Sequence, residues 1–273
     1  MIYDCVMLGH ERELVLLDIR LHELSDLVDR FVVVEADKTF PGEPKPWVLE
    51  PVMDRFAEFA DRIEYLKITM PNNSAWGRQR HQRNACVRNV KMEPDALVLI
   101  SDIDEIPRST DIAGVEPPFF CVHKLYCYRL NIQRYKPSDR SGGTVGVRRN
   151  TIETADKSRW TLLRESAGER LSYCGWHWSY LGTASQIADK IRMLSQTSCN
   201  KPEWTAQEHI ENAIRRGTDI YDKDTHGYKV VPVDETYPKY VLDNLDKFAP
   251  LIAEMPTDTD AAAQDLQISQ KIS

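Results

Sequence analysis

Apolar positions in the first hundred residues follow two rhythms in alternation. Ile2 to Leu8 is a short, largely apolar run that predicts a strand. Leu14, Leu17, Leu21, Leu24 and Val28 then recur at spacings of three and four. This predicts an amphipathic helix with Asp18, Arg20, Glu23 and Asp26 on its wet side. Phe31-Val32-Val33-Val34 is continuous and β-branched, too short for a helix and suited to a buried parallel strand. After a Pro-rich loop from Phe40 to Pro46, the pattern predicts a short helix over 53–60 and a strand over 63–68. A helix over 74–91 and a strand over 96–100 follow. Strands alternating with helices in this way imply an α/β fold with a doubly wound, mostly parallel sheet. Ligands of such sheets lie beyond the carboxyl ends of the strands. Two of those ends are acidic, at Glu35 and at Asp102.

The second half is less regular. Strands are expected over 119–128, 144–148 and 171–180, helices over 183–196 and 205–216, and an edge strand over 228–233. From Pro256 onward the chain is polar and without periodicity, so residues 256–273 are expected to form a flexible tail. The preceding residues, 1–255, suit a single domain. A net charge of −7 argues against binding a nucleic-acid backbone, which calls for a basic face. The six cysteines show no C-x-x-C pair, and buried free thiols are expected. The first residues carry no basic flank and no long apolar run. No transmembrane segment and a cytoplasmic location are the corresponding expectations.

Ser101-Asp102-Ile103-Asp104-Glu105-Ile106-Pro107 sets three carboxylates directly after the buried run Ala96 to Ile100. Anions so close repel unless something positive joins them. A hard cation such as Mn²⁺ or Mg²⁺ takes oxygen ligands and keeps positions open for substrate phosphates. The bland alternative is a solvated acidic turn or a helix cap. Its place at the mouth of the sheet favours the cation, with Asp102 and Asp104 as ligands.

Several segments occur in a telling order. They are Tyr3-Asp4-Cys5, Leu17 to Leu24, Phe31 to Phe40 with Gly42 to Pro46, Arg80-His81-Gln82-Arg83-Asn84-Ala85, Leu99 to Pro107, and Gly175-Trp176-His177-Trp178-Ser179-Tyr180. Together they resemble glycosyltransferase family 17 over about Tyr3 to Gly217. The resemblance implies a GT-A-like fold, with 1–107 as the nucleotide-sugar-binding half and 108–255 as the acceptor side. It also implies a UDP-sugar donor, a divalent metal, a glycan acceptor and inversion at the anomeric carbon. The best-known members are N-acetylglucosaminyltransferases, which makes GlcNAc the implied sugar. Animal members carry a membrane anchor, so this chain looks more like a bacterial or viral relative.

Other residues complete the candidate site. Trp76, Arg80, Arg83, Val87 and Val90 share one stripe of the 74–91 helix. Arg80 and Arg83 either grip phosphate or carboxylate or snorkel to solvent, and Asn84 lies at the stripe's edge. The resemblance assigns all three to the nucleotide sugar. Glu35 is either a nucleoside contact or a loop anchor. Strand alternation puts Trp176, Trp178 and Tyr180 on one face and His177 on the other. Either the tryptophans fill the core and His177 faces a cleft as metal ligand or acceptor contact, or the tryptophans are sugar-stacking platforms. Inversion needs a general base, for which Glu105, Asp189, Glu203 and Glu208 qualify by type without ranking. Two competing readings remain. A catalytically silent carbohydrate-binding or scaffold protein is disfavoured by the two intact aspartates. A metal-dependent nucleotidyltransferase or phosphohydrolase is disfavoured by the lone glycine after the first strand.

Overall fold

The computed structural model describes residues 1–135, 142–153, 168–221 and 227–256. All of the expected tail after Pro256 lies outside them. The chain divides into two compact units, Met1–His123 with Gly142–Trp176, and Lys124–Ser141 with His177–Ser273. The division falls within two strands, Phe119–Cys127 and Glu169–Ser179.

In the first unit, β1 (Ile2–Leu8), β2 (Arg30–Ala36), β3 (Ile63–Ile68) and β4 (Leu97–Ile100) lie parallel in the order β3-β2-β1-β4. Cys5 pairs with Val32 on one side and Ile100 on the other. The chain works outward from β1 to β3 and then returns to the far side of β1. This creates a topological switch point at the carboxyl ends of β1 and β4, where open α/β sheets bind ligands. Beyond β4 the sheet turns antiparallel, through β8 (Gly143–Arg148) and the first residues of β6 (Phe119–Cys127). A short strand, β5 (Glu105–Pro107), pairs with β9 (Glu169–Ser179). The α/β architecture expected from the sequence is present, with a mixed sheet whose parallel part is β1 to β4.

Alternation along β1 sends its side chains to two faces. Tyr3, Cys5 and Met7 join Val32, Val34, Val98 and Ile100 in a core cluster. Helix α2 (Ala75–Arg88) closes this cluster with Ala85, Cys86 and Val87. Asp4 points the other way and meets helix α1 (Leu14–Glu23). The expected stripe of Leu14, Leu17, Leu21, Leu24 and Val28 is buried, although α1 ends at Glu23 and Val28 lies beyond it. Its supposed wet side is not, because Asp18 and Arg20 are buried too.

The second unit is built on the ends of β6 and β9, on β7 (Ile132–Arg134) and on β10 (Tyr228–Val230), with β7 and β10 antiparallel. Helices Ala184–Met193 and Gln207–Arg216 pack there around Ile187, Ile191 and Ile210. Gly217 ends the latter helix at φ +59°, and a Cβ there would stand 2.2 Å from the Tyr228 carbonyl oxygen, so only glycine fits. Among the described residues no helix is long and apolar enough to cross a membrane.

The all-free cysteine expectation is corrected. Cys121 and Cys174 form a disulfide, while Cys5, Cys86, Cys127 and Cys199 are free and buried. Burial pushes the Cys86 thiol up to about 12 and raises those of Cys5 and Cys127, which keeps them protonated and unreactive.

Candidate functional site

The acidic turn leaves β4 at the switch point, and its main chain is held from beneath. Arg20 on α1 lies fully buried against Asp4 of β1, with Nε donating to Oδ2 and Nη2 to Oδ1, each at 2.6 Å. The same guanidinium reaches the turn. Nη2 donates to Ser101 Oγ at 2.5 Å, and Nη1 donates to the carbonyls of Glu105 at 2.8 Å and Asp102 at 3.4 Å. The turn also closes on itself. Glu105 N donates to the Asp102 carbonyl at 3.0 Å, and Asp102 N donates to Glu105 Oε2 at 3.1 Å. Ile103 and Ile106 anchor it in the core.

What the turn presents outward is the Asp102 carboxylate, whose side chain is 36% exposed. Arg83 on α2 donates to its Oδ1 at 2.6 Å. The next residue back, Gln82, is buried and fixes the helix over the strand ends, with Nε2 donating to the carbonyls of Leu8 at 3.2 Å and Val34 at 2.8 Å. Asn84 follows Arg83, and among the described residues no donor reaches its buried Oδ1. Asp104 is buried to 8% exposure in the turn. Gly175 lets β9 press close to this region, since a Cβ there would stand 2.3 Å from the Ile106 carbonyl oxygen and 2.8 Å from the His123 ring.

The structure thus brings Asp102, Arg83 and the Asp104–Glu105 turn together, and sends other candidates elsewhere. Glu35 is fully buried and accepts from Lys45 Nζ at 2.6 Å, Val48 N at 2.7 Å, Leu49 N at 3.2 Å and Tyr65 Oη at 2.7 Å. Its carboxylate anchors the Pro-rich loop, and a nucleoside contact there would have to displace one of these donors. Glu105 is 4% exposed and caps the turn, which removes it as a base facing an acceptor. Arg80 and Trp76 are exposed on α2, so only the C-terminal part of its stripe, Val87 and Val90, is core.

Trp176 and Trp178 are 1% and 0% exposed, which corrects the stacking-platform alternative. In the first unit the Arg108 guanidinium lies 4.9 Å from the Trp176 ring centroid. In the second unit Trp178 Nε1 donates to the Leu130 carbonyl at 3.0 Å. His177 also belongs to the second unit, is half-buried, and lies on the opposite side of β9 from the tryptophans. Asp189 pairs with Arg192 at 2.8 Å on an exposed helix face, and Glu203 and Glu208 are exposed in the first turns of their helices. Among the described residues no group of three or more His, Cys, Asp or Glu is placed to hold a metal ion. A cation at this turn would therefore rest on the two aspartates rather than on a protein cage.

Sequence reasoning missed Arg20, Asp4 and Gln82. A signal for the first two was present, because a lone Asp inside an apolar strand needs a buried partner.

Comparison with known proteins bears on the chemistry. The sequence profile described as glycosyltransferase family 17 matches residues 1–253. The β-1,4-mannosyl-glycoprotein 4-β-N-acetylglucosaminyltransferase of Rattus norvegicus is 27% identical over 92% of this chain and 54% of its own length. That of Homo sapiens is 27% identical over 90% of this chain and 54% of its own length. The chain thus spans about half the length of the curated relatives it matches. Among solved structures, 4-diphosphocytidyl-2C-methyl-D-erythritol synthase superposes with a TM-score of 0.39 at 9% identity, over 63% of this chain and 88% of that one. Galactosyltransferase LgtC with donor and acceptor sugar analogues gives 0.37 at 11% identity, over 96% and 99%. Likenesses at this level place no residue of the site.

Proposed function

Since the chain belongs to glycosyltransferase family 17, we propose that it moves a sugar from a UDP-sugar to a hydroxyl of a glycan acceptor, with GlcNAc as the sugar. The α/β architecture fits the GT-A-like fold that the family resemblance implies. One observation carries the site assignment. Asp102 is presented half-open at the topological switch point, on a turn whose backbone is hydrogen-bonded from below, with the Arg83 guanidinium 2.6 Å away.

The donor set fits a hard divalent cation, Mn²⁺ or Mg²⁺. Asp102 and Asp104 supply carboxylate oxygens, and such ions are commonly held by one or two carboxylates plus water and substrate phosphates. When bound, the ion would neutralise charge on the diphosphate. The chain's own residues do the rest. Arg83 offers a planar fork suited to phosphate. Asn84 Oδ1, buried and with no donor among the described residues, suits a hydroxyl of the ribose or sugar. In the transfer, the bond from the anomeric carbon to the diphosphate oxygen breaks and a bond to the acceptor oxygen forms with inversion. The acceptor proton passes to a base, and UDP leaves. Glu105 is turned into the fold, and no base is assigned.

The test is transfer of GlcNAc from UDP-GlcNAc to a panel of N-glycans with Mn²⁺, monitored by mass spectrometry. A new glycoside that disappears in Asp102→Asn supports the proposal. Loss of UDP-sugar with no glycosylated product, in the wild type and across donors, would overturn transfer in favour of hydrolysis.

A further inference from the structure

We propose that Arg20 is a positioning residue, whose guanidinium presets the main chain of the acidic turn for its ligand. The inference rests on the reading that Asp102 and Asp104 hold the cation and diphosphate.

A fully buried Arg–Asp pair is an expensive feature. Both side chains have lost all water, Arg20 at 0% and Asp4 at 1% side-chain exposure. Apolar residues of similar volume commonly replace such pairs without loss of stability. Stability alone therefore gives little reason for the pair. The direction of its hydrogen bonds gives a better one.

The fork made by Nε and Nη2 is spent on Asp4, which fixes the plane of the guanidinium relative to β1. With that plane fixed, the remaining donors fall on the turn at three points. These are the Ser101 hydroxyl at its entry, the Asp102 carbonyl at its first corner and the Glu105 carbonyl at its exit. Arg20 thus grips the segment on both sides of Asp104 without touching any carboxylate that the turn presents. Asp4 matches its charge, so the grip adds no net charge beneath a cation. A lysine ammonium is a single point of charge and cannot hold Asp4 bidentately while reaching both carbonyls.

Groups of this kind, one layer behind the ligands, typically alter metal affinity or activity by 10–100-fold when removed. The test compares the wild type with a double variant, Arg20→Met/Asp4→Leu, which deletes both charges together, and with Ser101→Ala, which keeps the pair and deletes one contact to the turn. Mn²⁺ binding is read from the free-ion electron paramagnetic resonance signal, UDP binding by calorimetry in Mn²⁺, and folding by thermal melting.

A positioning role predicts that the double variant melts close to the wild type yet binds Mn²⁺ and UDP at least about tenfold more weakly. Ser101→Ala should stay folded with a somewhat lower melt, because a buried guanidinium N–H loses its acceptor, and should lose about threefold or more in affinity. Wild-type affinity in a folded double variant would overturn the proposal. Should the double variant not fold, Ser101→Ala decides, and unchanged affinity there overturns it. If the wild type itself binds neither Mn²⁺ nor UDP, the site assignment falls first and the positioning role with it.

Discussion

Asp102 and Glu35 carry the same functional group near the carboxyl ends of parallel strands, and the structure gives them opposite surroundings. Asp102 is half-open and meets one guanidinium, whereas Glu35 is sealed beneath four donors. Glu35→Gln should therefore act on folding, because it leaves the buried Lys45 ammonium without its counter-charge. A loss of about 3 kcal/mol in denaturant unfolding is expected, with UDP affinity of the folded protein unchanged within about twofold. A selective loss of UDP affinity would restore Glu35 as a nucleoside contact. Glu23 supplies a pH-dependent counterpart. Burial raises its folded pKa above 4.5, although Ser109 N and Oγ donate to it. The sign follows from linkage: ionising Glu23 disfavours the fold, so its contribution is greatest in acid and is lost as pH rises through the folded pKa. Glu23→Gln should match the wild-type melting temperature near about pH 4 and exceed it at about pH 7. At this scale the sequence made the acidic turn readable, since three carboxylates after an apolar strand have few uses. It carried a signal at Asp4, a lone carboxylate in an apolar strand, but did not identify Arg20 as its partner, because a charge paired inside the core has the same letter as one facing water.

Helices α1 and α2 show how far periodicity reaches. Spacings of three and four located both, and the stripe leucines Leu14, Leu17 and Leu21 of α1 are buried, as is Leu16 outside the stripe. Periodicity assigns faces by residue type, however, so it placed Arg20 in solvent when α1 is covered on that side too. In α2 the same logic overextended the apolar face, because only its C-terminal turns reach the core cluster. Its function in the site depends on consecutive residues with different tasks. Gln82 registers the helix on β1 and β2, and Arg83 then reaches Asp102. Gln82→Ala would orphan two strand carbonyls and should lower stability by roughly 1–3 kcal/mol. Arg83→Gln should leave the melt nearly unchanged and weaken UDP binding about tenfold or more. Equal UDP affinity in Arg83→Gln would show that its pairing with Asp102 serves only the free protein.

At the scale of the whole chain, the parallel sheet was legible because alternating strands and helices leave few other topologies. The longer antiparallel strands were found, but not the short ones at Glu105–Pro107 and Ile132–Arg134 and not the partners, since pairing between distant segments leaves little mark on local sequence. The same holds for the Cys121–Cys174 disulfide, whose partners are separated by 53 residues. Closing a loop of that length is expected to stabilise by ~4 kcal/mol, so reduction should lower the melting temperature and Cys121→Ala/Cys174→Ala should reproduce the shift. Disulfides persist in oxidising compartments, which opposes the cytoplasmic location proposed from the amino terminus. Mass spectrometry of protein alkylated at cell lysis decides which stands. On the proposed function, the Asp102–Asp104 turn holds a cation and a nucleotide-sugar diphosphate together. Calorimetric titration of UDP into the wild type and Asp102→Asn/Asp104→Asn, each with and without Mn²⁺, tests it most directly. Tight wild-type binding is expected only with Mn²⁺, with no gain from Mn²⁺ in the variant. UDP binding that is indifferent to Mn²⁺, or a variant that keeps the full gain, would contradict it.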